Sequence, residues 1–225
     1  MVEPAFRSTV TAGPQGKFRY VFEVSNGAKA RRAIAGFVLD VNATISTGES
    51  TSPSGWSKPT INSWPVERRS VGWLTGTDGT AGIGPVQRLG GFTLDSNSLP
   101  GLTKVCFISS GTGVVKPSDF DLASDWAHKV LSEEIAGARV CLPAIAPKLQ
   151  PDLGRSELME AIRNEFTQAA AKEEFASIRE ELERFLASLA PGRAPATPPK
   201  GKTAFQREFL AAMELNLAVA QSRPD

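Results

Sequence analysis

Gly55-Trp56, Trp64, Ser70-Val71-Gly72-Trp73, Gly90-Gly91-Phe92-Thr93-Leu94 and Leu99-Pro100-Gly101 mark the stretch that decides the fold. Three of the four tryptophans fall inside it, set apart by Gly, Pro and Ser. Short apolar segments between strong turn signals indicate an all-β core, because a strand needs few residues and each one ends in a turn. Ser96-Asn97-Ser98-Leu99-Pro100-Gly101 reads as such a turn, and Leu102–Ser109 beyond it as a central strand.

Upstream, Lys17–Val24 alternates cleanly. Phe18, Tyr20, Phe22 and Val24 fall on one face, and Lys17, Arg19 and Glu23 on the other, the period of a half-buried antiparallel strand. Ser25-Asn26-Gly27 turns the chain. A second strand follows within Arg32–Ile45, with a kink at Gly36. Downstream, Arg139–Ile145 has strand character, and Pro143 restricts it to an edge strand or to the strand's end. Gly82-Ile83-Gly84-Pro85-Val86-Gln87 opens like a nucleotide loop but lacks the third glycine and a following helix, so it reads as a turn.

The period changes at Pro151. Leu158, Ile162, Phe166 and Ala169 recur at helical spacing, with Asp152 as a cap. Phe175, Ile178, Leu182, Phe185, Leu186 and Leu189 recur again, out of phase with the first set. The helix therefore rotates its apolar face or breaks between them. Ala190-Pro191-Gly192 stops it, and Thr203 caps a last helix with Phe205, Phe209, Met213 and Leu217 on one side. The expected architecture is mainly β: a lead-in over 1–16, an antiparallel β-sandwich over 17–148, an amphipathic helix over 151–190, a proline-rich linker over 191–202 and a C-terminal helix over 203–225.

Composition bounds the function. The formal net charge of +1 gives no global field for nucleic acid or an anionic membrane. Residues 1–150 hold 15 basic and 12 acidic side chains, and residues 151–190 hold 5 and 9, which supports a boundary near 150. The 20 glycines and 16 prolines favour a loop-rich fold. No run approaches the ~18 apolar residues of a membrane span. The first residues lack the pattern of a signal peptide, so the chain is cytoplasmic or has lost a leader. The β-module character of residues 1–150 favours the second, an extracellular or periplasmic location. Asn42-Ala43-Thr44 is a single glycosylation sequon.

Four groups are candidate sites. Trp56 and Trp64 stand beside Pro, Ser and Gly, where they either stack on sugar rings as a platform or close the end of the core. Asp119, Asp121 and Asp125 offer closely spaced oxygens of the kind that hold Ca²⁺. They lack the glycine and twelfth-position glutamate of the helix-loop-helix calcium pattern, so capping and solvated-loop roles compete. Cys106 and Cys141 lie in apolar segments as two buried hydrophobes or as one inter-strand disulfide. His128 is the sole histidine, so any triad-type machinery must use it, and no nucleophile elbow accompanies it.

From about Tyr20 to Cys106, the residues Gly55-Trp56, Val71-Gly72-Trp73, Ile83, Gly90-Gly91-Phe92, Ser96 and Leu99-Pro100-Gly101 resemble a class of secreted bacterial β-sandwich modules. The resemblance implies an extracellular, immunoglobulin-like or carbohydrate-binding-like sandwich, and carries no catalytic residues with it. The chain departs from the class in reading Gly84-Pro85 where such modules have Pro-Gly. The expected function is a non-catalytic interaction module for a polysaccharide or other surface polymer, or for a protein partner. The alternative is an assembly subunit that oligomerises through its C-terminal helices, and a hydrolase comes last.

Overall fold

The computed structural model describes residues 1–13, 16–41, 50–62, 69–75, 81–110, 139–189 and 197–224. Among these, eight strands form two antiparallel sheets. The smaller sheet has the order β1 (Pro4–Ala12), β2 (Phe18–Asn26), β6 (Arg88–Ser96). The larger runs β4 (Thr60–Asn62), β5 (Arg69–Leu74), β3 (Ile34–Val41), β7 (Leu99–Ser109), β8 (Arg139–Leu149). The protein is mainly β with a helical C-terminal part, as its alternation predicts.

An aromatic layer fills the space between the sheets. Phe37 stacks on Trp73 at 5.0 Å between ring centroids and meets Phe92 edge-on at 4.9 Å. Phe6 and Phe22, from neighbouring strands of the small sheet, stack at 5.5 Å. Offset and edge-on contacts of this kind are the arrangements that aromatic quadrupoles favour.

Two departures from the expected pattern have clear causes. Residues 4–12 are no lead-in but strand β1, in full register with β2 from Pro4↔Asn26 to Ala12↔Phe18. Its inward row is Phe6, Ser8 and Val10, and the serine interrupts the apolar stripe that alternation relies on. Leu99-Pro100-Gly101 is the start of β7 and no turn. A Cβ on Gly101 would lie 2.7 Å from the Lys148 side chain and 3.1 Å from Glu165 Oε2, so glycine serves close approach there. Gly90-Gly91 sits opposite Glu23, where the β2–β6 register shifts and Gly91 takes φ +92°, a bulge that only glycine accommodates readily.

The helical part breaks where its stripes lose phase. Helix α1 (Arg155–Ala170) is followed by a 3-10 segment (Glu173–Ile178) and helix α2 (Arg179–Ser188), and helix α3 is Ala204–Gln221. Gly154 precedes α1 in the capping position expected for Asp152, and its N–H is held by Glu157 Oε2 at 3.0 Å. Thr203 caps α3: its hydroxyl accepts from Gln206 N at 3.1 Å, and Gln206 Oε1 accepts from Thr203 N at 3.1 Å.

The apolar faces of all three helices are buried within the chain. Leu158, Ile162, Phe166, Phe175, Leu182, Phe209 and Met213 belong to the same contiguous core as the sandwich. Helix α3 lies on β7, β1 and β8, and α1 packs on α3 and β7. Two hydrophilic clamps seat them. Glu165 of α1 is buried, accepts from Leu102 N at 2.5 Å and pairs with Lys148 Nζ at 2.6 Å. Buried Asn216 of α3 donates to Pro100 O at 2.8 Å.

Candidate functional site

One end of the sandwich is built around a single amide. Asn26 ends β2 and is buried. Its Oδ1 accepts from Glu3 N at 2.9 Å, and its Nδ2 donates to Arg32 O at 2.8 Å and Ile83 O at 3.0 Å. Its backbone N–H donates to Gln87 O at 2.9 Å. One side chain therefore joins the chain before β1, the β2–β3 connection and the segment before β6. Gly27 N donates to Glu3 O at 2.8 Å, and Ile34 and Ile83 exchange backbone hydrogen bonds at 2.9 Å. A buried amide whose donors and acceptor are engaged fixes the relative position of everything it holds.

Gly84-Pro85-Val86-Gln87 forms a tight turn on this base. Gln87 N donates to Gly84 O at 3.2 Å, the Gln87 side chain accepts from Gly84 N at 2.7 Å, and Val86 N donates to Gly27 O at 3.4 Å. Pro85 occupies the second position, as its fixed φ favours. Val86 occupies the third with φ +62°. A β-branched residue in the left-handed region is strained by about 1–3 kcal/mol, and turns of this form normally place Gly or Asn there. Val86 is nevertheless 78% exposed, so no packing among the described residues accounts for it.

The adjoining segment 27–32 carries three cations. Lys29, Arg31 and Arg32 are exposed, and among the described residues no carboxylate forms an ion pair with them. Of the nearby carboxylates, Glu3 Oε2 accepts from Lys29 N at 2.8 Å and Glu23 pairs with Arg88 at 3.5 Å. A groove of about 520 Å³ lies between α2 and residues 197–202 and is lined by three cations, Arg184, Lys200 and Lys202, with Glu181 and Phe185. Two of its three cations are engaged, Lys202 with Ser177 O and Arg184 with Glu180 O.

The residues singled out in the sequence fare differently. Trp56 is 8% exposed, meets Phe92 edge-on at 5.0 Å, and donates from Nε1 to Ala81 O at 3.0 Å. It closes the core and offers no stacking face. Trp64 lies outside the described residues, as do Asp119, Asp121, Asp125 and His128, and the sequon at Asn42. Among the described residues no group of three or more His, Cys, Asp or Glu is placed to hold a metal ion.

Cys106 and Cys141 stand directly opposite each other in the β7–β8 register, with Cα atoms 4.1 Å apart, and form a disulfide. Val105 and Phe107 belong to the core, so alternation turns Cys106 to the other face of the large sheet. Among the described residues no helix is long and apolar enough to cross a membrane.

Asn26 was legible only as part of a Ser-Asn-Gly turn, and nothing in the sequence signals its four hydrogen bonds. The sequence marks Gly84-Pro85-Val86-Gln87 as a turn, but Pro followed by Val also suits a turn with negative φ, so the strain at Val86 emerges only in the structure. Comparison with models of protein families finds no match to this chain, and no curated protein is similar to it.

Proposed function

We propose that the chain is a non-catalytic β-sandwich module that works outside the cytoplasm and holds a surface polymer or a protein partner. The observation that carries this reading is the Cys106–Cys141 disulfide joining two neighbouring strands of the large sheet. Such bonds form and persist in oxidising compartments and are kept reduced in most cytosols. Two features add support. The helical part is seated on the sandwich through a common core, and one end of the sandwich is held rigid around Asn26. A stiff body suits recognition, because little ordering entropy is lost on binding.

The polymer contact falls to Trp64, since Trp56 is committed to the core. Oxidised full-length chain is expected to retain a signal on a glycan array or in polysaccharide pull-down, and Trp64→Ala to abolish it. Undiminished binding by that variant removes the tryptophan from the contact. Compartment is tested separately by alkylating the chain as isolated from its native cells. Two free thiols there would sink the extracytoplasmic reading.

A further inference from the structure

We propose that the end of the sandwich formed by residues 27–32 and 84–87 docks on an anionic lipid surface. Val86 enters the headgroup layer while Lys29, Arg31 and Arg32 meet lipid phosphates. Val86 is the starting point. Neither packing nor backbone conformation explains a valine there: the side chain is 78% exposed, and φ +62° suits glycine. The turn that carries it is fixed by hydrogen bonds at Gly84, Val86 and Gln87, so the tip is presented rather than free to fold away. An observed outlier of this kind points to a contact outside the chain.

The charge at this end says what the contact is. Four cations, Lys29, Arg31, Arg32 and Arg88, face two carboxylates, Glu3 and Glu23, and Glu23 is already paired with Arg88. The whole chain carries only +1, so the excess is local. An anionic bilayer meets both halves of the surface, with phosphates at the level of the cations and an apolar layer just beneath for the valine. A polyanion in solution would satisfy the cations and leave Val86 unexplained. Two exposed apolar residues, Val86 and Met1, whose carbonyl accepts from Arg31 N at 2.9 Å, together with three cations give weak, reversible and salt-sensitive attachment. This contact goes beyond the polymer or partner reading and uses none of its residues, so either can fail while the other stands.

The test is co-sedimentation of the oxidised full-length chain with vesicles of phosphatidylglycerol and phosphatidylcholine, against vesicles of phosphatidylcholine alone. Binding to the anionic vesicles only is expected. It should fall by about tenfold or more when Lys29, Arg31 and Arg32 are all changed to Ser, and similarly in about 0.5 M salt. Val86→Gly, which relieves the turn and so does not endanger folding, should weaken binding several-fold. Absence of binding to anionic vesicles overturns the proposal, as does binding that the triple variant leaves intact. Full retention by Val86→Gly refutes the insertion of the turn. If vesicles are ignored while Val86→Gly abolishes a specific protein cross-link, the turn fits a protein socket and the lipid assignment is wrong.

Discussion

Glu165 Oε1 lies 2.6 Å from Lys148 Nζ, joining helix α1 to strand β8 where the carboxylate is buried and the ammonium partly so. Glu165 Oε2 also satisfies the N–H of Leu102 on β7. Removing Lys148 leaves a buried carboxylate without its counter-charge, and removing Glu165 leaves the ammonium only the neutral oxygens of Leu102 and Gln168, which is the costly way to break such a pair. Glu165→Ala should therefore lower stability by about 3 kcal/mol. Lys148→Met should be comparably harmful, and Glu165→Leu combined with Lys148→Met should recover much of the loss. Urea unfolding of the set checks this. Additive losses in the double variant would show that the two side chains act independently.

The Cys106–Cys141 bond closes a loop with a sequence separation of 35. Chain-entropy reasoning assigns a loop of that length about 4 kcal/mol. Cys106→Ala with Cys141→Ala should lose a large part of this, and reductant should lower the melting temperature of the parent protein while leaving the double variant unchanged. A variant as sensitive to reductant as the parent would exclude the disulfide as the cause.

Tyr20 is the sole tyrosine, is buried, and donates from its hydroxyl to Ser98 O at 2.7 Å. Burial holds its pKa well above the usual tyrosine value, because the phenolate would be desolvated. The native state thus keeps its proton where the unfolded chain gives it up. The contribution is fully present below about pH 10, the unfolded value, and is lost as pH rises from there toward the folded pKa, at roughly 1.4 kcal/mol per pH unit. Phenolate absorbance should appear only together with unfolding. Tyr20→Phe should remove this part of the alkaline sensitivity, and phenolate forming in the folded protein near pH 10 would contradict it.

Trp56 packs on Phe37 and Phe92 and binds Ala81 O through its indole N–H. Trp56→Ala should cost about 3–5 kcal/mol in unfolding experiments, the range for a large aromatic removed from a core. Trp56→Phe keeps most of the packing and should cost markedly less. An Ala variant of parental stability would place the ring outside the core.

Asn26→Ala removes the amide that joins three segments and leaves the carbonyls of Arg32 and Ile83 and the Glu3 N–H without it. A loss of about 2–4 kcal/mol is expected, with faster amide exchange at Glu3, Ile34 and Ile83 than in the rest of the sandwich. Val86→Gly should act oppositely and raise stability by about 1 kcal/mol, since the strain at φ +62° outweighs glycine's greater freedom when unfolded. Exchange protection that stays uniform in Asn26→Ala would mean the end of the sandwich is held by other contacts.

Most of the fold was legible where one rule acts alone. Phe18, Tyr20, Phe22 and Val24 alternate with polar partners, and all four face the core. Leu158, Ile162, Phe166 and Ala169 keep helical spacing, and all four are buried. Legibility failed where tertiary contacts decide. Ser8 breaks the stripe of β1, yet the strand forms because β2 supplies a continuous partner. Gly101 resembles turn punctuation, yet it serves the approach of Lys148 and Glu165. Trp56 reads as a core lid before a surface platform, and the positions of Phe92 and Ala81 decide for the lid.

Glu208 of α3 reaches across the free edge of β1, accepting from Ser8 N at 3.1 Å and pairing with Arg7 at 3.2 Å. The two contacts are separated by 200 and 201 residues, nearly the whole chain. An open strand edge is a template for pairing with other molecules. Strand β1 therefore acquires its guard from about 200 residues further along the chain: during synthesis, β1 must wait for α3 before its edge is closed. Such distant pairing slows folding and lengthens the exposure. The interval in which β1 can pair with another molecule is thus set by how late Glu208 arrives.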